Sequence, residues 1–184
     1  TQLASQRASV AQVLKDGLSG YTEANAVLQA FDALIARLDA QIKAALQTDP
    51  QQAERYRYLL TIPGIGPNTA AMLTDLFSRL PFANADAVVA YSGLDPRAND
   101  SGARRGRRRL SKRGPAQLRR NLYMAGFSAS RSKTLKPLYQ ALRARGLTTT
   151  ESFLILGRKL LRVAFNLWRT EKPFDPALIG PRRA

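Results

Sequence analysis

The chain has 184 residues, with 29 Lys plus Arg against 13 Asp plus Glu, a formal net charge of +16, and 45% hydrophobic residues. That length suits one domain of ordinary size plus an appendage, and so large a charge calls for a polyanionic partner, nucleic acid ahead of an acidic membrane surface. Cysteine and histidine are absent, which excludes disulfides, zinc fingers and any histidine general base within the chain; no stretch reaches the roughly 18 apolar residues of a membrane span.

The start, Thr1 to Arg7, has neither a signal-peptide core nor an initiator Met. A fragment of a longer, cytoplasmic bacterial protein is the expectation. Residues 1–50 hold four basic and five acidic residues, so the basic excess lies beyond residue 51. Two functional halves follow: an interaction segment over 1–50 and a nucleic-acid module over 51–172, with a loose basic tail over 173–184.

In chain order, Val10, Val13 and Leu14 mark a short helical piece interrupted near Gly17–Gly20. Leu28, Phe31, Ile35, Leu38, Ile42 and Ala45 then follow the 3-4 spacing of a coiled-coil seam. Two readings stay open: an amphipathic helix packed on its own domain, or a helical hairpin or dimerising coiled coil. Asp49-Pro50 starts another helix through Tyr56, Leu59 and Leu60. After Thr61-Ile62-Pro63-Gly64-Ile65-Gly66-Pro67 comes a helix through Ala70, Leu73, Leu76 and Phe77, stopped by Pro81. Ala85–Tyr91 is a short helix, and Ser92–Pro115 is irregular and glycine-rich. Helices resume over 115–131, 135–145 and 149–170. The last has a capping-box signal in Thr148 and Glu151, and an apolar face running from Phe153 to Trp168. No alternation of period two marks a strand. The fold class is all-α, a helical domain containing a helix-hairpin-helix and preceded by a long coiled-coil-like helix.

Three features carry chemistry. Gly64, Ile65 and Gly66 sit where a helix-hairpin-helix turns. Its glycines allow the tight turn, and free N–H groups at the following helix start attract a phosphate; a plain interhelical turn holding the core is the alternative, and Ile62 and Ile65 are core in either case. The second feature is the basic run. Arg97, Arg104, Arg105, Arg107, Arg108, Arg109, Lys112, Arg113, Arg119 and Arg120 are ten cations among residues 93–120, which hold only two acids. Such a run binds phosphates even when disordered. Third, Ser101 stands beside Gly102 among these arginines. A serine hydroxyl needs activation to act as a nucleophile, and guanidinium groups are suited to clamp a scissile phosphate. Secondary candidates for phosphate contact are Ser128, Ser130 and Ser132 beside Arg131 and Lys133, and Arg158, Lys159 and Arg162 on the last helix. Asp75, Asp86, Asp95 and Asp100 share no helical face and read as surface or capping groups, not a metal cluster. Phe153, Phe165 and Trp168 read as core.

Ile62-Pro63-Gly64-Ile65-Gly66, Ala90-Tyr91-Ser92-Gly93-Leu94-Asp95-Pro96, Ser101-Gly102, Leu110-Ser111-Lys112-Arg113-Gly114 and Leu118-Arg119-Arg120 occur in one order. This resembles the C-terminal transposase domain of the insertion-sequence transposases related to the Piv DNA invertases, some of them guided by a bridge RNA. The resemblance implies a serine nucleophile, Ser101 by motif position, that cleaves and rejoins DNA through a phosphoserine link. It also implies a RuvC-like domain in the full-length enzyme whose acidic residues bind Mg²⁺, with no cofactor held by this chain, which alone is expected to be inactive. DNA, a structured guide RNA and a second copy through the N-terminal helix are the implied partners, with no membrane. The rival readings are a non-catalytic helix-hairpin-helix DNA-binding module and an RNA-binding protein whose arginine loop folds on structured RNA.

Overall fold

A computed structural model describes residues 2–17, 22–47, 49–97 and 109–179. The chain divides into two compact units, Thr1–Pro50 and Gln51–Ala184. In the first, helices α1 (Gln2–Gly17) and α2 (Thr22–Gln47) pack on each other as a helical hairpin. Arg7 on α1 donates from Nε and Nη2 to the two carboxylate oxygens of Asp32 on α2, at 2.7 and 2.9 Å. Those hydrogen bonds lower the Asp32 pKa and raise that of Arg7. The hairpin covers only one side of the seam read from the sequence, and Leu38 and Ile42 remain exposed.

The second unit is helical: α3 (Pro50–Leu60), α4 (Pro67–Arg79), α5 (Ala85–Ser92), α6 (Ala116–Ala129), α7 (Lys136–Ala144) and α8 (Thr149–Thr170). Local chemistry fixes their ends. Pro67 occupies the first turn of α4, where a missing N–H costs nothing. Asn84 caps α5 by accepting from the Ala87 N–H at 2.9 Å, and Gly93 ends that helix in the left-handed conformation. The capping box of α8 forms in full: Thr148 Oγ1 accepts from the Glu151 N–H, and the Glu151 carboxylate accepts from the Thr148 N–H.

α8 is the hub, packing on α4, α5, α6 and α7. Leu156, Leu160 and Leu161 are fully buried, each worth about 1.5–3 kcal/mol of transfer energy. Phe165 and Trp168 pack against Phe77 of α4, so the aromatic side chains of α8 are core. α6 and α8 cross with backbones nearly touching. A Cβ at Gly126 would lie 2.2 Å from the Phe153 carbonyl oxygen, and one at Gly157 would lie 2.4 Å from that of Leu122.

Two sequence expectations need correction. The segment after Ser92 contains an antiparallel ladder, β1 (Pro96–Arg97) with β2 (Arg109–Leu110), pairing Pro96 with Leu110 and Arg97 with Arg109. Two residues per strand are too few for an alternation to be visible. The tail, expected to be loose from Pro173, is docked over its described part. The Phe174 N–H donates to Thr61 Oγ1 at 2.8 Å, Ile179 is buried, and its carbonyl accepts from Lys159 Nζ at 2.6 Å. The apolar Phe174 and Ile179 outweigh the prolines around them.

Candidate nucleic-acid interface

The α3–α4 turn treats its two glycines differently. Gly64 has φ +91°, and a Cβ there would meet the Ala125 carbonyl oxygen at 2.4 Å and Ala129 Cβ at 2.7 Å on α6. It seats the hairpin on α6 and is internal. Gly66 has nothing within 4 Å of an added Cβ. It caps α4 in an extended conformation, with no side chain bonding the helix start. Gly66, Pro67 and Asn68 are exposed, so the open end of the α4 dipole faces outward there. Ile65, assigned with the glycines to the phosphate-binding turn, does not belong to this surface and takes the core position also expected of it. Its side chain is buried and its N–H already donates to the Ile62 carbonyl at 3.0 Å. Arg57, which the sequence reading passed over, is exposed in the last turn of α3.

The basic segment has a built base. Between Arg97 and Arg109 lie eleven residues, 98–108, joined to the unit through the β1–β2 ladder. Below the ladder the Ser111 N–H donates to the Asp95 carbonyl at 3.0 Å, and Ser111 Oγ donates to the Asp95 carboxylate. The Lys112 N–H donates to the Gly93 carbonyl at 3.1 Å. Lys112 itself holds φ +53°, an uncommon conformation for a lysine. A Cβ on Gly93 would meet the Gly114 and Arg113 nitrogens within 3 Å, and one on Gly114 would collide with the Tyr91 carbonyl oxygen. Arg119, half-buried on α6, donates to the Gly114 carbonyl. These contacts clamp 91–97 to 109–114.

Of the sequence-assigned cations, Arg97, Lys112, Arg113 and Arg120 are exposed at or next to this clamp. Arg97 Nε lies 3.7 Å from an Asp95 oxygen, a loose pairing that a phosphate could replace. Arg119 is partly spent on the clamp, and Arg109 enters it through its backbone opposite Arg97. Ser101, Arg104, Arg105, Arg107 and Arg108 lie outside the described residues.

The secondary candidates divide. Lys159 bonds the Ile179 carbonyl and Arg162 pairs with Asp86, so this face of α8 is not a row of free cations. Arg158 is half-buried, and its pKa is lowered by that burial and then by neighbouring Arg162. Ser130 and Ser132 donate to the carbonyls of Phe127 and Ala129, local back-bonds rather than a phosphate cradle. The acids are dispersed: Asp75 pairs with Arg79, Asp86 with Arg162, and Asp95 with Ser111. Among the described residues no cluster could hold a metal ion, and none of the helices is long and apolar enough to cross a membrane.

The second unit thus presents two distinct features, the clamp at the N-terminal end of α6 and the open start of α4, whose turn packs on the C-terminal end of α6. Residues 56–140 match the family described as Transposase IS116/IS110/IS902. The chain is 28% identical to the pilin gene-inverting protein of Moraxella bovis over 162 residues, 86% of this chain and 50% of that protein. It is 31% identical to an insertion element IS110 protein of Streptomyces coelicolor over 134 residues, 72% of this chain and 32% of that one. A probable family 20 transposase of Pseudomonas aeruginosa is 36% identical over 93 residues, 50% of this chain and 26% of that protein. The matched segment belongs to the IS116/IS110/IS902 transposase family, and the chain spans half or less of the length of these relatives.

Proposed function

We propose that this chain is the DNA-binding C-terminal catalytic domain of a transposase or site-specific recombinase. Ser101 is its nucleophile. In the reaction the Ser101 hydroxyl loses its proton, its oxygen bonds to a DNA phosphorus, and the departing strand end leaves as a hydroxyl. The resulting phosphoserine link keeps the energy of the broken phosphodiester, so rejoining needs no other source. The observation that carries this reading is the clamp. It anchors both ends of an arginine-rich loop that contains Ser101, with Arg97, Lys112 and Arg113 exposed at its base. A loop tethered this closely can bring a serine to one phosphate repeatedly, with guanidinium groups offsetting the charge that develops there.

The α3–α4 turn acts as a helix-hairpin-helix, holding a second phosphate at Gly66 and the first turn of α4. Mg²⁺, when bound by the acidic residues of a RuvC-like companion domain, would supply Lewis-acid activation. The described acids of this chain do not fit such a role, because they form no cluster that could hold a metal ion. A structured guide RNA, and self-association through the exposed Leu38 and Ile42 of α2, complete the assembly, in a bacterial cytoplasmic setting.

The test uses the full-length enzyme with its companion domain and a cognate DNA. Wild type is expected to give a covalent protein–DNA species that survives denaturation. Ser101→Ala is expected to lose that species and keep duplex binding. A covalent species formed by Ser101→Ala overturns the assignment.

A further inference from the structure

Helices α6, α7 and α8 line an open pocket of about 400 Å³, which shares no residue with the clamp. Its wall is aromatic. Phe153 is buried, with Phe127 edge-on at 5.4 Å and Tyr139 stacked at 5.5 Å and 22°. Its rim is cationic and polar: Arg131, Lys136 and Gln140 are all exposed. The Arg131 guanidinium lies 4.1 Å over the Phe127 ring. Neither Arg131 nor Lys136 has a carboxylate partner among the described residues. No Asp or Glu occurs between Asp100 and Glu151, a span with fourteen Lys and Arg, so neither has an acidic neighbour close by in the chain. Ser130, also lining the pocket, donates its hydroxyl to the Phe127 carbonyl at 2.7 Å, which leaves its oxygen free to accept.

We propose that this pocket binds one unpaired nucleotide of a DNA or RNA strand, its base against the Phe127–Tyr139–Phe153 wall and its phosphate held by Arg131 and Lys136. The size falls at the small end of ligand pockets, which suits a single nucleotide. A duplex offers phosphates but keeps its bases stacked inside, so it leaves an aromatic wall without a partner. An extrahelical or single-stranded base has a free face for it. The Gln140 amide and Ser130 oxygen stand at the polar side, where a base edge needs both a donor and an acceptor. The inference rests on the nucleic-acid reading above and adds a site for an unstacked base.

The experiment measures binding of the 184-residue chain to a short single strand, to an abasic strand of equal charge, and to a duplex, with the single strands in DNA and RNA forms. Wild type is expected to prefer the base-bearing strand over the abasic one by about tenfold, the size of one stacking contact; preference in either the DNA or the RNA arm supports the site and identifies its strand. Tyr139→Leu is expected to abolish the preference. Lys136→Glu, at an exposed side chain, is expected to weaken both strands several-fold and lower the salt dependence, and it tests the site even if Tyr139→Leu fails to fold. Equal binding of base-bearing and abasic strands, with the duplex still bound, overturns this proposal alone. Loss of all three ligands by wild type overturns the nucleic-acid reading as well. Displacement of the strand by equimolar inorganic phosphate overturns the nucleotide assignment and leaves an anion site.

Discussion

The α3–α4 turn and the base of the 98–108 loop both depend on glycine, and they are held in different ways. At the first, Gly64 presses against the α6 backbone, so packing fixes the turn. At the second, hydrogen bonds from Ser111 and Lys112 to Asp95 and Gly93 fasten two chain segments across a two-residue ladder. Packing against a core helix makes a rigid platform, suited to holding a phosphate in one place. A clamp of a few polar contacts fastens residues 91–97 to 109–114 and sets where the segment between Arg97 and Arg109 leaves and rejoins the unit.

The largest expected effect separates the two glycines of the platform. Gly64→Ala forces an alanine into a left-handed conformation and against the Ala125 carbonyl, and is expected to cost about 3 kcal/mol or more, read as a fall in the melting temperature. If Gly64→Ala melts like wild type, packing does not fix the turn. Asp95→Ala addresses the clamp. It removes the acceptor of the Ser111 hydroxyl and the neighbour of Arg97, with an expected loss of about 1 kcal/mol and a much larger loss of strand cleavage in the full enzyme; equal losses would mean that the clamp only stabilises. Gly66→Ala, in open space, is expected to leave stability within about 0.5 kcal/mol and to weaken duplex binding several-fold. Unchanged binding would remove the α4 start from the interface.

The smallest effect concerns the end of α8, where Glu171 meets α3. Arg55 and then Gln51 donate to the Glu171 carboxylate and hold its pKa below the ordinary Glu value. The unfolded chain therefore takes up this proton at higher pH than the folded one does. The contribution to stability is present above the unfolded pKa and is lost as pH falls through the folded one. Glu171→Gln is expected to lower the melting temperature slightly near neutral pH, and the difference should vanish in acid. A difference that persists in acid would assign the effect to packing.

Much of this was legible from local chemistry. The α8 capping box needs only Thr148 and Glu151, three positions apart, and the hairpin needs only Pro63, Gly64 and Gly66. Other features depend on partners distant in sequence. Gly126 and Gly157 look like weak points in their helices until α6 and α8 cross. Lys159 and Arg162 read as free cations because the Ile179 carbonyl and Asp86 lie far along the chain. Ile65 shows the opposite limit: its core position was legible from the sequence, yet the motif's spacing does not say that its N–H is already taken by the Ile62 carbonyl. In the basic segment the cations point to a polyanionic ligand, while the frame built beneath it by Gly93, Asp95, Ser111 and Gly114 is not visible in a count of charges.

The most direct measurement maps the covalent adduct. The full-length enzyme is reacted with cognate DNA, the DNA is trimmed by nuclease, and the protein is digested and analysed by mass spectrometry. The nucleotide mass is expected on the peptide containing Ser101. Its appearance on Ser111, on any other residue, or on none would contradict Ser101 as the nucleophile.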